Sequence, residues 1–206
     1  MYRDILSDSQ KELFPFLKQF GKDFCLVGGT AIALQIGHRR SIDFDMFRSQ
    51  AFHSLKIKRK IAESGFTNQI IHEESDQIHF LVNGVKLTFF SFGFEIHPVI
   101  RLDNIIKMPD LLELSAMKAF AIGRRAKWKD YVDMYFILKY HYSLSTIVSK
   151  SNELFKNVFS EKLLRQQLCY FDDMDFSEEV EFMPGFEVKK EEVMNFLIHC
   201  STEPLR

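Results

Sequence analysis

Apolar residues recur at helical spacing at Leu13, Phe16, Leu17 and Phe20, behind a start signal at Ser7 and Asp8, and predict an amphipathic helix over 7–20. Phe24 to Val27 is a compact apolar run that meets Gly28-Gly29 and continues as Thr30-Ala31-Ile32-Ala33-Leu34, stopping at Gly37. That order predicts a buried strand, a tight glycine turn and a helix. Over 39–47 the period changes to two. Arg39, Ser41, Asp43 and Asp45 fall on one face of a strand, and Ile42, Phe44 and Met46 on the other. A helix is predicted over 51–64, ending at Gly65, with strands over 66–72 and 77–82. Asn83-Gly84 then signals a hairpin turn into a strand over 85–92. Past Pro109 the alternation gives way to helical periodicity from 110 to 140, with further helices over 143–156, 160–170 and 189–199. The expected class is α+β: a small mixed β-sheet core flanked by helices over 1–108, and a C-terminal helical region over 109–206.

Composition narrows the picture. An apolar fraction of 46% in 206 residues is enough for one substantial core, or for a compact core with a helical extension packed on it. With 27 Lys+Arg against 28 Asp+Glu, the whole-molecule field announces neither a nucleic acid nor a membrane, so a polyanion has to be met by a local patch. Phe occurs 22 times against a single Trp, a frequency that assigns most of the rings to packing. The acidic stretch 172–192 reads as solvated surface. Cys25, Cys169 and Cys200 form no close pair, which fits a reducing compartment and offers neither a zinc site nor a redox motif. The N-terminal residues carry charges where a signal peptide needs its apolar stretch, and no run approaches a membrane span. A cytoplasmic protein with no membrane partner is expected.

The candidate chemistry lies between Gly28 and Asp45. Asp43 and Asp45, spaced i, i+2, project to one side of a strand about 7 Å apart, close enough to share a metal ion. Phosphoryl and nucleotidyl transfer need positive charge on the oxygens of the transferring phosphorus, and carboxylate-held Mg²⁺ usually supplies it. Just upstream, Gly28, Gly29 and Thr30 sit at a strand-to-helix junction, where glycines admit a ligand to the backbone and a helix start presents unpaired N–H groups to an anion. The Thr30 hydroxyl offers a further donor, and Arg39, with Ser41 on the same predicted face as the aspartates, is placed to reach a phosphate oxygen. Alone, a Gly-Gly pair is an ordinary turn and an Asp-x-Asp pair the exposed side of a strand. In this order they favour a nucleotide site.

The segment LVGGTAIALQIGHRRSIDFDMF resembles the signature of the nucleotidyltransferase superfamily, and is most similar to the AbiEii-like toxins of type IV toxin–antitoxin pairs. A second block, MKAFAIGRRAKWKDYVDMYFIL, is similar to a later motif of those toxins: a helix Lys, a downstream Arg, and a Lys/Arg-Asp-x-x-Asp run before an apolar helix. The resemblance spans residues 24–138. It implies a nucleotidyltransferase core over 1–108 and a nucleoside triphosphate as substrate. Gly28, Gly29 and Thr30 would contact its phosphates, Asp43 and Asp45 would hold Mg²⁺ or Mn²⁺, and Lys118 and Asp130 would complete the active site from the helical half. It further implies transfer of a nucleoside monophosphate to an acceptor hydroxyl, with an RNA such as the tRNA 3′ end as acceptor and an antitoxin protein as partner. If a helix runs on through Gly123, Lys118, Arg125 and Lys129 form a basic stripe for a triphosphate or an RNA backbone. The alternative is a solvated face with Lys129 and Asp133 paired at i, i+4.

One departure bears on activity. Many active members of the superfamily carry a third carboxylate on a later strand, where this chain has Val85-Lys86-Leu87-Thr88-Phe89, with Thr88 expected at the position. A neutral hydroxyl replaces a carboxylate neither as metal ligand nor as base. Asp130 is the candidate to serve instead. Two other readings stay open: a nucleotide- or nucleic-acid-binding module without turnover, and an enzyme that nucleotidylates a protein or a small molecule. His38, beside Arg39, suits a phosphate neighbourhood. His53, His72, His79, His97, His141 and His199 show no ligand spacing, and Trp128 reads as packing at a helix start.

Overall fold

The computed structural model describes residues 1–202. The expected N-terminal helix forms in two pieces. A capping box between Ser7 and Gln10 starts α1 (Asp8–Leu13). The chain then tightens into a 3-10 segment, Phe14–Gln19, at Pro15, which has no N–H to continue the α-helical ladder. Next come β1 (Cys25–Val27), α2 (Gly28–Ile36), β2 (Asp43–Arg48) and α3 (Ser54–Ala62). A run of strands follows: β3 (Asn68–Glu73), β4 (Gln77–Val82) and β5 (Val85–Ser91).

These strands form one mixed sheet in the order β1-β2-β5-β4-β3. Only β2 and β5 run parallel. Phe44 and Met46 of β2, Leu87 and Phe89 of β5, and Ile78 and Phe80 of β4 are buried and share one face. The N-terminal helical segment packs there, with ring centroids 4.7 Å apart for Phe20 and Phe89 and 6.2 Å for Phe14 and Phe44. The opposite face carries Asp43, Asp45, Lys86, Thr88, Gln77 and His79. One side of the sheet is therefore core, and the other is free for chemistry.

A small hairpin, β6 (Ile100–Leu102) with β7 (Ile106–Met108), precedes the helical half. That half comprises α4 (Leu111–Ile122), α5 (Trp128–Tyr140), α6 (Leu144–Phe155), α7 (Glu161–Leu168) and α8 (Lys190–Thr202). α4 packs against α2, α5 and α6, and α5 against α2 and α8, so the helical half rests on the helix that leads into β2. One apolar cluster includes Leu26 and Phe89 of the sheet together with Ile122, Tyr135 and Leu197 of the helices. The sheet and the helices share a core.

Three sequence expectations are corrected. The helix expected from 110 to 140 is broken: α4 ends at Gly123, and 124–127 is irregular before α5 begins. Lys118, Arg125 and Lys129 therefore form no continuous helical stripe. The strand expected from residue 39 starts at Asp43 instead, because α2 closes on a left-handed Gly37 (φ +75°) and residues 38–42 serve as a connection. Arg39 is consequently not on the strand face with the aspartates. Finally, part of the acidic stretch is engaged in ion pairs, Glu178 with Lys127 and Lys129, and Glu181 with Arg40.

Candidate active site

The parallel register of β2 and β5 sets Asp43 opposite Lys86 and Asp45 opposite Thr88, while β1 sets Val27 opposite Asp45. The chain leaves β1 directly into α2 through Gly28, whose φ is +73°. A Cβ at Gly28 would lie 2.2 Å from Asp45 Oδ2, and one at Gly29 would lie 2.5 Å from an Arg39 guanidinium nitrogen. Glycine is required twice, once for the left-handed turn and once for the close approach. The residue before α2, Val27, offers no side-chain cap, so the first N–H groups of the helix lack the usual side-chain acceptor. Thr30 is buried beneath this turn. Its hydroxyl donates to the Asp43 carbonyl and lies 2.8 Å from Ser41 Oγ. Thr30 and Ser41 thereby fix the approach of the chain to Asp43.

Burial raises the pKa of Asp45, and the charge of Asp43 raises it further, against the opposing pull of Lys86, Arg125 and Lys129. Two carboxylates on one strand face, one of them held towards its neutral form by burial and by the other, make a place where a cation is stabilised. Asp43 is 22% exposed and has Lys129 Nζ 3.7 Å from its Oδ2. Among the described residues, no three His, Cys, Asp or Glu side chains gather as a complete metal site. A metal here would take two protein carboxylates and complete its shell with water and phosphate oxygens, as Mg²⁺ commonly does.

Asp45, Gly28, Lys86, Thr88 and Lys118 line one cavity of about 510 Å³ between the open sheet face and α4. Its far wall is aromatic, formed by Phe90, Phe92, Phe94, Phe120 and Phe155. The Arg124 guanidinium lies 4.1 Å from the centre of the Phe120 ring. Charged and apolar surfaces thus meet in one space, the combination a nucleotide requires.

Behind the cavity lies a buried charge cluster. Asp133 accepts from Arg39 Nε at 2.6 Å and from an Arg39 terminal nitrogen at 2.9 Å, and from His38 Nε2 at 2.7 Å. Lys118 Nζ lies 2.8 Å from Asp133 and 2.6 Å from Asp130, and Arg125 Nε donates to Asp130 at 2.9 Å. Burial alone would push both aspartates up, but Arg39 and Lys118 hold Asp133 well below the usual carboxylate range, and Lys118 and Arg125 lower Asp130. Burial also opposes the charge on Lys118, yet Asp130 and Asp133 outweigh it and raise its pKa. Burial lowers His38 despite its bond to Asp133, which keeps the ring neutral, and its Nδ1 finds no partner.

Of the residues singled out in the sequence, Gly28, Asp45 and Lys118 line one cavity. Gly29 and Asp43 adjoin it along the same turn and strand, and Thr30 and Ser41 support it from below. Asp130 stands behind Lys118. Arg39 is 3% exposed and bound to Asp133, with no free face towards the cavity. The sequence reading paired Asp133 only with Lys129, whereas here it gathers three basic side chains. The Asp-x-x-Asp spacing was the available signal, since i and i+3 share a helix face. Lys86 and His79 also went unmarked. The Asn83-Gly84 turn fixes the β4/β5 register, and with it the face that both occupy.

A mixed sheet presenting paired carboxylates beside a glycine turn, closed by helices bearing a buried lysine, defines a nucleotidyltransferase. The family described as nucleotidyl transferase AbiEii toxin, type IV TA system, matches residues 15–192, and the chain belongs to it. The uncharacterized protein aq_aa25 of Aquifex aeolicus is 30% identical over 181 residues, covering 82% of this chain and 84% of that protein. Among solved structures, MenT4, the nucleotidyltransferase toxin Rv2826c of Mycobacterium tuberculosis, has a TM-score of 0.61 at 11% identity, over 94% of this chain and 82% of that one. JHP933 of Helicobacter pylori has a TM-score of 0.58 at 17% identity, over 95% and 91%. At these identities the two structures attest the fold.

Proposed function

We propose that the chain moves a nucleoside monophosphate from a nucleoside triphosphate to a hydroxyl of an RNA acceptor, with Mg²⁺ or Mn²⁺ held by Asp43 and Asp45. The observation that carries this reading is the carboxylate pair itself, with Asp43 beside Asp45 on β2 and Asp45 packed against the Gly28 turn and lining a cavity that is cationic near Lys118 and aromatic beyond. Held by Asp43 and Asp45, the cation would supply positive charge to the triphosphate oxygens. Gly28 and Gly29 offer backbone N–H groups to the outer phosphates. Lys118 offers positive charge where the transition state gains negative charge. Asp130 and Asp133 hold Lys118 charged and in place. Four cations within six residues, Arg124, Arg125, Lys127 and Lys129, give an otherwise neutral chain a local patch for an RNA backbone. Family membership supplies the further expectation of a protein antitoxin as partner. Among the described residues no helix is long and apolar enough to cross a membrane.

A second reading rests on Thr88, which sits beside Asp45 where the resemblance leads one to expect an acid: the protein binds nucleotide without transferring it. Incubation with each α-labelled nucleoside triphosphate, Mg²⁺ or Mn²⁺ and total tRNA, alongside Asp43→Asn/Asp45→Asn, separates the two. Label entering RNA with the wild type and not with the double variant is the expected result. Nucleotide binding without labelling of any RNA would replace the transfer reading with the second.

A further inference from the structure

Transfer to a hydroxyl requires that the hydroxyl lose its proton, and the acids near the cavity are badly placed to take it. Asp130 is bound by Lys118 and Arg125, Asp133 is enclosed by His38, Arg39 and Lys118, and Asp43 and Asp45 are assigned to the cation. Asp76 also lines the cavity, but it sits in the exposed turn before β4, off the strand row that carries Asp45. The strand register points elsewhere. Asp45 pairs with Thr88 and Thr88 with His79, a straight row across β2, β5 and β4 whose members all line the cavity. With strands about 4.8 Å apart, His79 stands roughly 10 Å from Asp45 at the backbone, with Thr88 midway. Thr88 is 7% exposed, and its hydroxyl has no hydrogen-bond partner. A buried, unpaired hydroxyl on a cavity wall marks a position for a polar atom of a ligand.

Resting on the transfer reading above, we infer that the attacking hydroxyl of the acceptor binds against Thr88 Oγ1, and that His79 is the general base that deprotonates it. His79 Nε2 is 3.2 Å from Gln77 Oε1, an oxygen that can only accept. Nε2 therefore carries the hydrogen, and Nδ1 carries the lone pair. The His72 ring lies 5.1 Å away, centroid to centroid, on β3. Burial, then Lys86 on β5 and His72, lower the pKa of His79, with Glu74 opposing; Lys118, Arg124 and Arg125 look into the same cavity from the helical side. The ring is thus neutral and able to accept a proton at neutral pH. In the step, the acceptor O–H proton passes to Nδ1 and the oxygen forms a bond to the α-phosphorus. The bond from that phosphorus to the bridging oxygen breaks, pyrophosphate leaves with the electron pair, and His79 returns its proton to water.

The test is the pH dependence of single-turnover labelling by the wild type, His79→Ala and His79→Gln, with nucleotide affinity measured in parallel. Wild type is expected to lose rate on acidification with a midpoint below the ordinary histidine value of 6.5. Both variants should bind nucleotide normally, turn over about 100-fold more slowly, and lose that acid limb. Glutamine keeps a polar side chain of similar reach and cannot accept the proton. A near-normal rate in His79→Gln, or an acid limb that keeps the wild-type midpoint in either variant, would assign His79 a structural role and overturn the inference. Absence of labelling by the wild type is a separate result, which removes the transfer reading itself.

Discussion

Asp133 is the carboxylate shared by two buried cations, Arg39 and Lys118, and by the neutral His38 ring, and its removal shows how costly an unanswered charge is. Asp133→Ala leaves Arg39 and Lys118 buried without their shared partner, and breaking a buried pair in this way typically costs about 3–5 kcal/mol. Urea unfolding should show a loss of that size with an unchanged slope; a loss under about 1 kcal/mol would mean that the cluster is reached by water. Because its pKa is depressed, the stabilisation from Asp133 is complete above the ordinary carboxylate value of 3.8, and is lost only as pH falls through the lower folded value. The sequence displayed the two acids of this helix but not their partners. Arg39 lies 94 residues and His38 95 residues from Asp133 along the chain, and helical spacing reports only neighbours. Asp43 and Asp45 were legible because a strand of period two shows its faces locally.

At the scale of elements, the site depends on how β1 hands over to α2. Gly28→Ala forces a non-glycine residue to φ +73° and drives a methyl group into Asp45. The left-handed conformation alone costs roughly 1–2 kcal/mol, which the fold can absorb, but the displaced carboxylate and helix start cannot serve a triphosphate. The expected phenotype is a folded protein, by circular dichroism and thermal melting, with nucleotide affinity reduced at least about tenfold, which corresponds to roughly 1.4 kcal/mol. Unchanged affinity would detach this turn from nucleotide binding. The same junction was readable from sequence, as were the Asn83-Gly84 hairpin and the helical character of the C-terminal half. Residues 39–42 were misread as strand because they alternate in polarity, although Arg39 follows the charge of Asp133 and not a sheet register. The β6/β7 hairpin escaped because strands of three residues are too short to show a period. The break after Gly123 was masked by apolar residues at helical spacing on both sides of it.

Across the whole molecule, the segment between α7 and α8 ties distant parts of the site together. Asp175 exchanges backbone hydrogen bonds with Ala126 and Trp128, the Met183 N–H donates to the His38 carbonyl, and Arg40 is bound through Glu181. At the centre of this strap, Glu178 binds Lys127 at 2.6 Å and also Lys129, next to Asp43. Burial works against its charge, but the two lysines bring its pKa down to about 2. A depressed carboxylate keeps its contact above its ordinary pKa of 4.5 and loses it only as pH falls towards the depressed value. Between pH 5 and 8 the strap is therefore fully paired. Glu178 holds two of the four cations that the transfer reading offers to an RNA backbone, sharing its single negative charge between them. Glu178→Gln should release both. RNA should then bind more tightly at low salt, and the slope of log K against log salt should steepen by up to about 1.4, or 0.7 for each single-stranded phosphate gained. Because the contact does not titrate in that window, the difference between wild type and variant should not vary from pH 5 to 8. Equal slopes in the two proteins would show that Lys127 and Lys129 serve to hold the strap and meet no phosphate.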